Sequence, residues 1–201
     1  MAVSRRVLIA GGLAAALAAT LAACDKAPGG GPAFKAVDIT GAGYALDFDL
    51  PDADGQRRSL ADFKGHIVVV FFGFTQCPDV CPTTMLELAA VKKALGADGD
   101  RVQGIFVTID PERDTAPLLK AYVDNFEGGF VALRGTAEET KAVAKDFKVF
   151  YAKVPGKTET SYSMDHTAGS YIYDAAGKLR LFTRYGTGAE ALTHDLKLLL
   201  K

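Results

Sequence analysis

Tryptophan is absent from the 201 residues, and cysteine and methionine occur only three times each. The missing indole excludes nothing, but so few sulfurs mean that each cysteine can be assigned a role individually. Charge is nearly balanced, with 23 basic against 24 acidic residues. No basic run breaks that balance, which sets nucleic acid aside as a partner. No internal repeat occurs. What remains is an ordinary globular composition, 49% hydrophobic and 23% charged, with room for one sizeable core.

The first residues read as a leader. Arg5 and Arg6 precede an apolar, alanine-rich run from Val7 to Ala23, which has signal-peptide character. It ends Leu21-Ala22-Ala23-Cys24, which resembles a bacterial lipobox. That resemblance implies cleavage before Cys24 and acylation of its sulfur, and several acyl chains anchor durably where one does not. An uncleaved membrane-spanning anchor is the alternative. Either way the folded domain faces outward from a bacterial cytoplasmic membrane, towards the periplasm or exterior. Residues 24–36, rich in Gly, Pro and Ala, read as a flexible tether. Residues 37–201 are left as one domain.

Within that domain one stretch organises the rest: Ile67 to Thr84, IVVVFFGFTQCPDVCPTT. Six consecutive apolar residues predict a buried strand, broken at Gly73. Cys77 and Cys81 follow, and a helical stripe of Met85, Leu88, Val91 and Leu95 starts just beyond them. A strand thus delivers two thiols to a helix N-terminus, with Pro82 in the first turn and Cys81 at or near the N-cap. The helix field there favours thiolate. A disulfide closing so small a loop constrains little of the unfolded chain, so a purely structural bridge is the weaker reading.

Around this stretch, Tyr44 to Leu50 alternates with Leu46, Phe48 and Leu50 on one face, then turns at Asp52-Ala53-Asp54-Gly55 and returns over Gln56–Ser59. Strands are expected at 101–109, 130–133 and 149–154, and helices at 115–126 and 136–147. The second of these helices opens on a Thr136/Glu139 capping box. A polar loop, 155–160, precedes a hairpin of 169–174 and 178–183 and a last helix from Gly188. The order predicts an α/β, thioredoxin-like fold. It carries an N-terminal β-hairpin extension and an insertion before the last β-β-α unit.

The spacing at the thiols leaves dithiol exchange, metal binding and peroxide reduction open. Thioredoxin-type enzymes use CxxC with a cis-proline opposite. Here three residues intervene, and no proline lies between Ser161 and Gly169. His166 stands at that place, from which a side chain can reach both sulfurs. Two thiolates and one imidazole make a soft set suited to Cu(I), with imidazole also suiting Cu(II). Structural zinc wants a fourth protein ligand, and none is evident. Asp165 is a candidate to orient the histidine ring. Asp110 or Arg113, in Asp110-Pro111-Glu112-Arg113-Asp114 at the end of the neighbouring strand, is a further candidate for docking or for supporting the site, though a turn and helix cap is the plainer reading. His66 and His194 lack a cysteine partner in sequence; Met85 and Met164 are thioether candidates, though Met85 lies on the apolar helical stripe and reads as core.

Three motifs together, CPDVCP at 77–82, DPERDT at 110–115 and DHTAGSYIYDAAG at 165–177, resemble the Sco/SenC family of copper-binding assembly proteins. The likeness covers roughly residues 37–200 in the family's order. It implies a membrane-tethered, thioredoxin-like protein with one copper on Cys77, Cys81 and His166, serving the dinuclear copper centre of cytochrome c oxidase. Its implied partners are a copper-receiving oxidase subunit and other periplasmic copper chaperones or thiol reductants. A metallochaperone is expected rather than an enzyme. The alternative is a thiol-disulfide reductase acting on the cysteines of the oxidase copper site.

Overall fold

The computed structural model describes residues 33–158 and 161–201. The expected leader, the expected lipidation site Cys24 and most of the segment read as tether lie outside the described residues. Among those described, no helix is long and apolar enough to cross a membrane.

The chain runs β1 (Val37–Asp38), β2 (Leu50–Pro51), β3 (Arg57–Arg58), β4 (Ile67–Gly73), α1 (Val80–Leu95), β5 (Val102–Thr108), α2 (Ala116–Asp124) and β6 (Val131–Leu133). It continues through α3 (Ala137–Asp146), β7 (Tyr151–Pro155), β8 (Tyr162–His166), β9 (Gly169–Tyr173), β10 (Leu179–Arg184) and α4 (Ala189–Leu199). The main sheet has the order β1-β10-β9-β4-β5-β6. Its β4, β5 and β6 are parallel, while β9, β10 and β1 run antiparallel to their neighbours. A parallel β-α-β unit joined to a terminal β-hairpin and helix is the thioredoxin-like arrangement.

The uninterrupted apolar run of β4 follows from its central place. Ile67, Val69 and Phe71 pack on α1, α2 and α4, whereas Val68, Val70 and Phe72 pack on the opposite layer with Phe147, Tyr171 and Tyr173. Both faces are covered, so alternation disappears from the sequence. The helical stripe behaves as expected: Met85, Leu88, Val91 and Leu95 are all buried, and Gly96 ends α1 with a φ of 61°. The Thr136/Glu139 capping box is formed at α3, each side chain bonding the other's backbone N–H.

Four details refine or correct the expectations above. The N-terminal hairpin shrinks to the two-residue β2 and β3. Leu46 is 65% exposed while Phe48 and Leu50 are buried. Here side-chain and loop hydrogen bonds replace the ladder: Asp47 accepts from the Phe48 and Leu60 N–H groups, and Tyr173 Oη donates to the Ala45 carbonyl. Second, Asp79 is the N-cap of α1 and Cys81, expected at or near that position, is the second residue inside the helix. Third, Tyr162–His166, for which the sequence predicts no element, is a strand. It pairs with β7 as a separate two-stranded sheet. Its alternation of Tyr162, Met164 and His166 against Ser163 and Asp165 is a period-2 pattern that the polar letters hid. Finally, the compact unit starts at Phe34, inside the segment read as tether. The buried Asp195 carboxylate of α4 accepts from the Lys35 and Ala36 N–H groups at 2.7–3.0 Å, and Phe34 packs against the helical layer.

Candidate metal centre

Cys77 lies in the loop that leaves β4. Cys81, buried, lies in the first turn of α1, and His166, half-buried, ends β8. Their ligand atoms all lie within 4.8 Å of one another. No fourth Cys, His, Asp or Glu joins the group among the described residues. Both thiols are free.

The loop is wound tightly enough to bring the sulfurs together. Cys77 N–H donates to the Phe74 carbonyl at 3.2 Å, and Cys81 N–H donates to Cys77 Sγ at 3.5 Å. The N-terminal amides of α1 therefore point at the first sulfur. The neighbouring Cys81 thiol, then the Asp79 and Cys81 amides, bring the Cys77 thiol down to about 5, with the nearby His166 adding a little in the same direction. Cys81 moves the other way. It shares its hydrogen bond with Cys77 and is buried, so its thiol is pushed up strongly. One proton between two sulfurs leaves the outer one as thiolate at neutral pH.

Gly73 makes room for the inner sulfur. A Cβ at that position would sit 2.6 Å from Cys81 Sγ and 2.8 Å from the Phe106 ring. The strand must therefore end in glycine for the second thiol to be there.

On the histidine, Nδ1 sits 3.0 Å from the Thr167 carbonyl. A carbonyl only accepts, so this contact requires the proton on Nδ1 and leaves Nε2 with its lone pair. The ring also stands edge-on to Phe74, with centroids 6.1 Å apart. Asp165 takes no part. It is exposed, its side chain lies on the other face of β8 from His166, and the carbonyl already fills the orienting role.

The Asp110–Asp114 motif does more than cap a helix. Asp114, fully buried, accepts from Thr75 N–H, from Thr75 Oγ1 at 2.5 Å and from Thr108 Oγ1 at 2.6 Å, which fixes the start of the cysteine loop. Asp110 is also buried. It accepts from Tyr162 Oη at 2.9 Å and pairs with Arg113, which ties it to the strand that carries His166. Neither is a ligand. The sequence placed Asp114 at the same sheet edge as the thiols but only as part of a turn and helix cap, and gave no signal of its bonds to Thr75 and Thr108. His66 is exposed and His194 pairs with Asp195 at 2.8 Å, both away from the sulfurs, and Met85 and Met164 are core.

The space beside Cys81 and His166, bordered by Val80, Thr84, Ala168 and Tyr185, is a cavity of about 30 Å³. That holds one or two waters and no organic cofactor.

A family model described as SCO1/SenC matches residues 38–201. The chain belongs to the SCO1/SenC family. Among SCO1/SenC relatives, it is 38% identical over 133 residues to the SCO2-like protein of Rickettsia felis, a match covering 66% of this chain and 65% of that protein. The matched stretch thus spans a little under two thirds of that relative's length. Among solved structures, it is similar to Bradyrhizobium japonicum ScoI with copper bound, with 36% identity and a TM-score of 0.67, covering 76% of this chain and 95% of the other. It is also similar to apo Sco1 from Thermus thermophilus, with 34% identity and a TM-score of 0.74, covering 86% and 100%.

Proposed function

We propose that this SCO1/SenC chain binds one copper ion through Cys77, Cys81 and His166 and hands it to the dinuclear copper centre of cytochrome c oxidase. The observation that carries this reading is the convergence of two free sulfurs and one imidazole within 4.8 Å, with no fourth ligand among the described residues. Thiolates favour Cu(I), the imidazole extends the set to Cu(II), and three-coordination leaves a position through which a receiving ligand can enter. Similarity to a copper-bound ScoI supports the choice of metal. In this reading the protein is anchored by lipid on Cys24 and faces the periplasm or exterior. Oxidation of Cys77 and Cys81 to a disulfide removes two ligands together, so the redox state of the pair gates uptake and release.

A second reading is supported by the unequal thiols. As a reductase, the Cys77 thiolate would attack a disulfide in the oxidase subunit and expel one of its sulfurs as thiolate. Cys81 would then lose its proton and attack the mixed disulfide, leaving the subunit reduced and this chain oxidised.

Copper stoichiometry of the reduced full chain in detergent, beside its Cys77→Ser variant and its oxidised form, tests both. One copper per chain, lost in both comparisons, is the expected result. No copper in the reduced chain, with a reversible Cys77–Cys81 disulfide, would replace the first reading with the second.

A further inference from the structure

We infer that Arg113 is a positioning residue that latches the hairpin β7–β8 over the cysteine loop and so holds His166 within reach of the two sulfurs. The inference rests on the copper reading for its purpose, though not for its geometry.

The ligand set is divided between two bodies. Cys77 and Cys81 belong to the junction of β4 and α1, inside the main sheet and its covering helices. His166 belongs to a two-stranded sheet whose strands pair only with each other. Something must fix the second body against the first to better than an ångström, because a metal site tolerates little slack.

Arg113 contacts every part involved. Its Nη1 donates to the Tyr162 carbonyl of β8 at 2.7 Å and to Gln76 Oε1, next to Cys77, at 3.1 Å. Its Nε donates to the Asp110 carboxylate. The guanidinium lies 3.6 Å from the centre of the Tyr162 ring and 5.8 Å from that of Phe74, the ring that meets His166 edge-on. Tyr162 is held from its other parts as well, by Oη to Asp110 and by the Lys153 ammonium 4.4 Å from its ring centre. A planar five-donor fork that also stacks can do this; a lysine ammonium cannot.

The latch acts at a distance along a stiff element. Tyr162 and His166 are four residues apart on the same face of β8, roughly 13 Å at ordinary strand rise. Movement at the tyrosine is therefore transmitted to the imidazole. Buried Met164, between them, anchors the hairpin in the core, so loss of the fork shifts the hairpin without removing it.

The test uses the full chain in detergent, reduced, as wild type, Arg113→Met, Tyr162→Phe, His166→Ala and the Arg113→Met/His166→Ala double variant. Two quantities are read: hydrogen exchange of the β7 and β8 amides in metal-free protein, and Cu(I) affinity against a competing chelator. In Arg113→Met, hairpin exchange should rise about tenfold while amides of β4 and α1 stay unchanged. Copper affinity should fall about 10–100-fold, the range for groups that orient a ligand. In the His166→Ala background the same change should cost nothing further, because its effect runs through the histidine. Unchanged hairpin exchange, or an equal affinity loss in both backgrounds, would overturn the latch. If Arg113→Met does not fold, Tyr162→Phe decides, with a smaller effect expected in the same direction and no effect overturning it. If wild type binds no copper, the functional reading fails while the exchange data still decide the latch.

Discussion

The two halves of the ligand set are built in opposite ways. The cysteine half sits where β4 meets α1, with β-strands on both sides, helices above and a second apolar layer below. Every residue of β4 is buried, and Gly73 leaves only enough space for one sulfur. The histidine half is a hairpin with one half-buried face, on which Met164 alone is buried, and its outer residues Val154, Asp165 and Phe150 face solvent. It is held to the body by Met164, Tyr162 and Arg113. A rigid half that fixes two sulfurs and a lighter half that brings the imidazole suit the proposed centre, which holds and then releases an ion.

Breaking the rigid half should have the largest effect. Cys81→Ser is expected to remove copper binding from the reduced chain, well beyond the roughly 100-fold loss typical of supporting groups. Retention of one tightly bound copper would contradict the ligand set. His166→Ala comes next, with severely weakened copper affinity but a Cys77–Cys81 pair that still forms and breaks its disulfide with an ordinary dithiol. An unaltered affinity would mean that the hairpin plays no part in binding.

Gly73→Ala sharpens the packing side of the comparison. The added methyl meets Cys81 Sγ and Phe106, so overpacking of about 1–3 kcal/mol is expected, read as a lowered denaturation midpoint. Unchanged stability would show that the junction is looser than described. The unequal thiols give a smaller, pH-dependent effect. Cys77 is lowered to about 5, so its thiolate is present above that pH and lost below it. Alkylation of the metal-free protein by iodoacetamide should modify Cys77 first, with its rate already near its plateau at pH 7, while Cys81 stays protonated and silent. Equal modification of both residues, mapped by mass spectrometry, would contradict this. The smallest effect is expected far from both halves. Thr136→Ala removes the N-cap of α3, and should lower stability by about 1 kcal/mol without changing metal affinity.

The same contrast explains what could be read from sequence. The cysteine half was legible because its signals are local: a continuous apolar run, a break at Gly73, two thiols and a helical stripe in one stretch. The helix start was legible too, with Cys81 two residues past the N-cap Asp79 and Pro82 in the first turn. His166 was found by its place in the fold and by the family resemblance. The strand that carries it was not, since Ser163, Asp165 and His166 are not strand-forming letters. Its partner β7 is what makes it a strand. Asp165 drew attention by adjacency in sequence, yet alternation along β8 turns it away from its neighbour. The residues that do support the site, Arg113, Asp110 and Asp114, act through contacts with positions 37 to 52 residues distant along the chain at Gln76, Thr75 and Tyr162. Such contacts leave no periodicity to read. The N-terminal stretch Tyr44–Leu50 failed for another reason, because alternation alone could not reveal that Asp47 and Tyr173 would occupy its backbone groups.

In the proposed centre one ion is held jointly by both halves, and X-ray absorption at the copper edge, on the reduced full chain loaded with one equivalent of Cu(I), tests this directly. Two sulfur scatterers and one nitrogen scatterer from an imidazole are expected, with the nitrogen lost in His166→Ala. Two sulfurs alone in wild type, or a shell without sulfur, would contradict it.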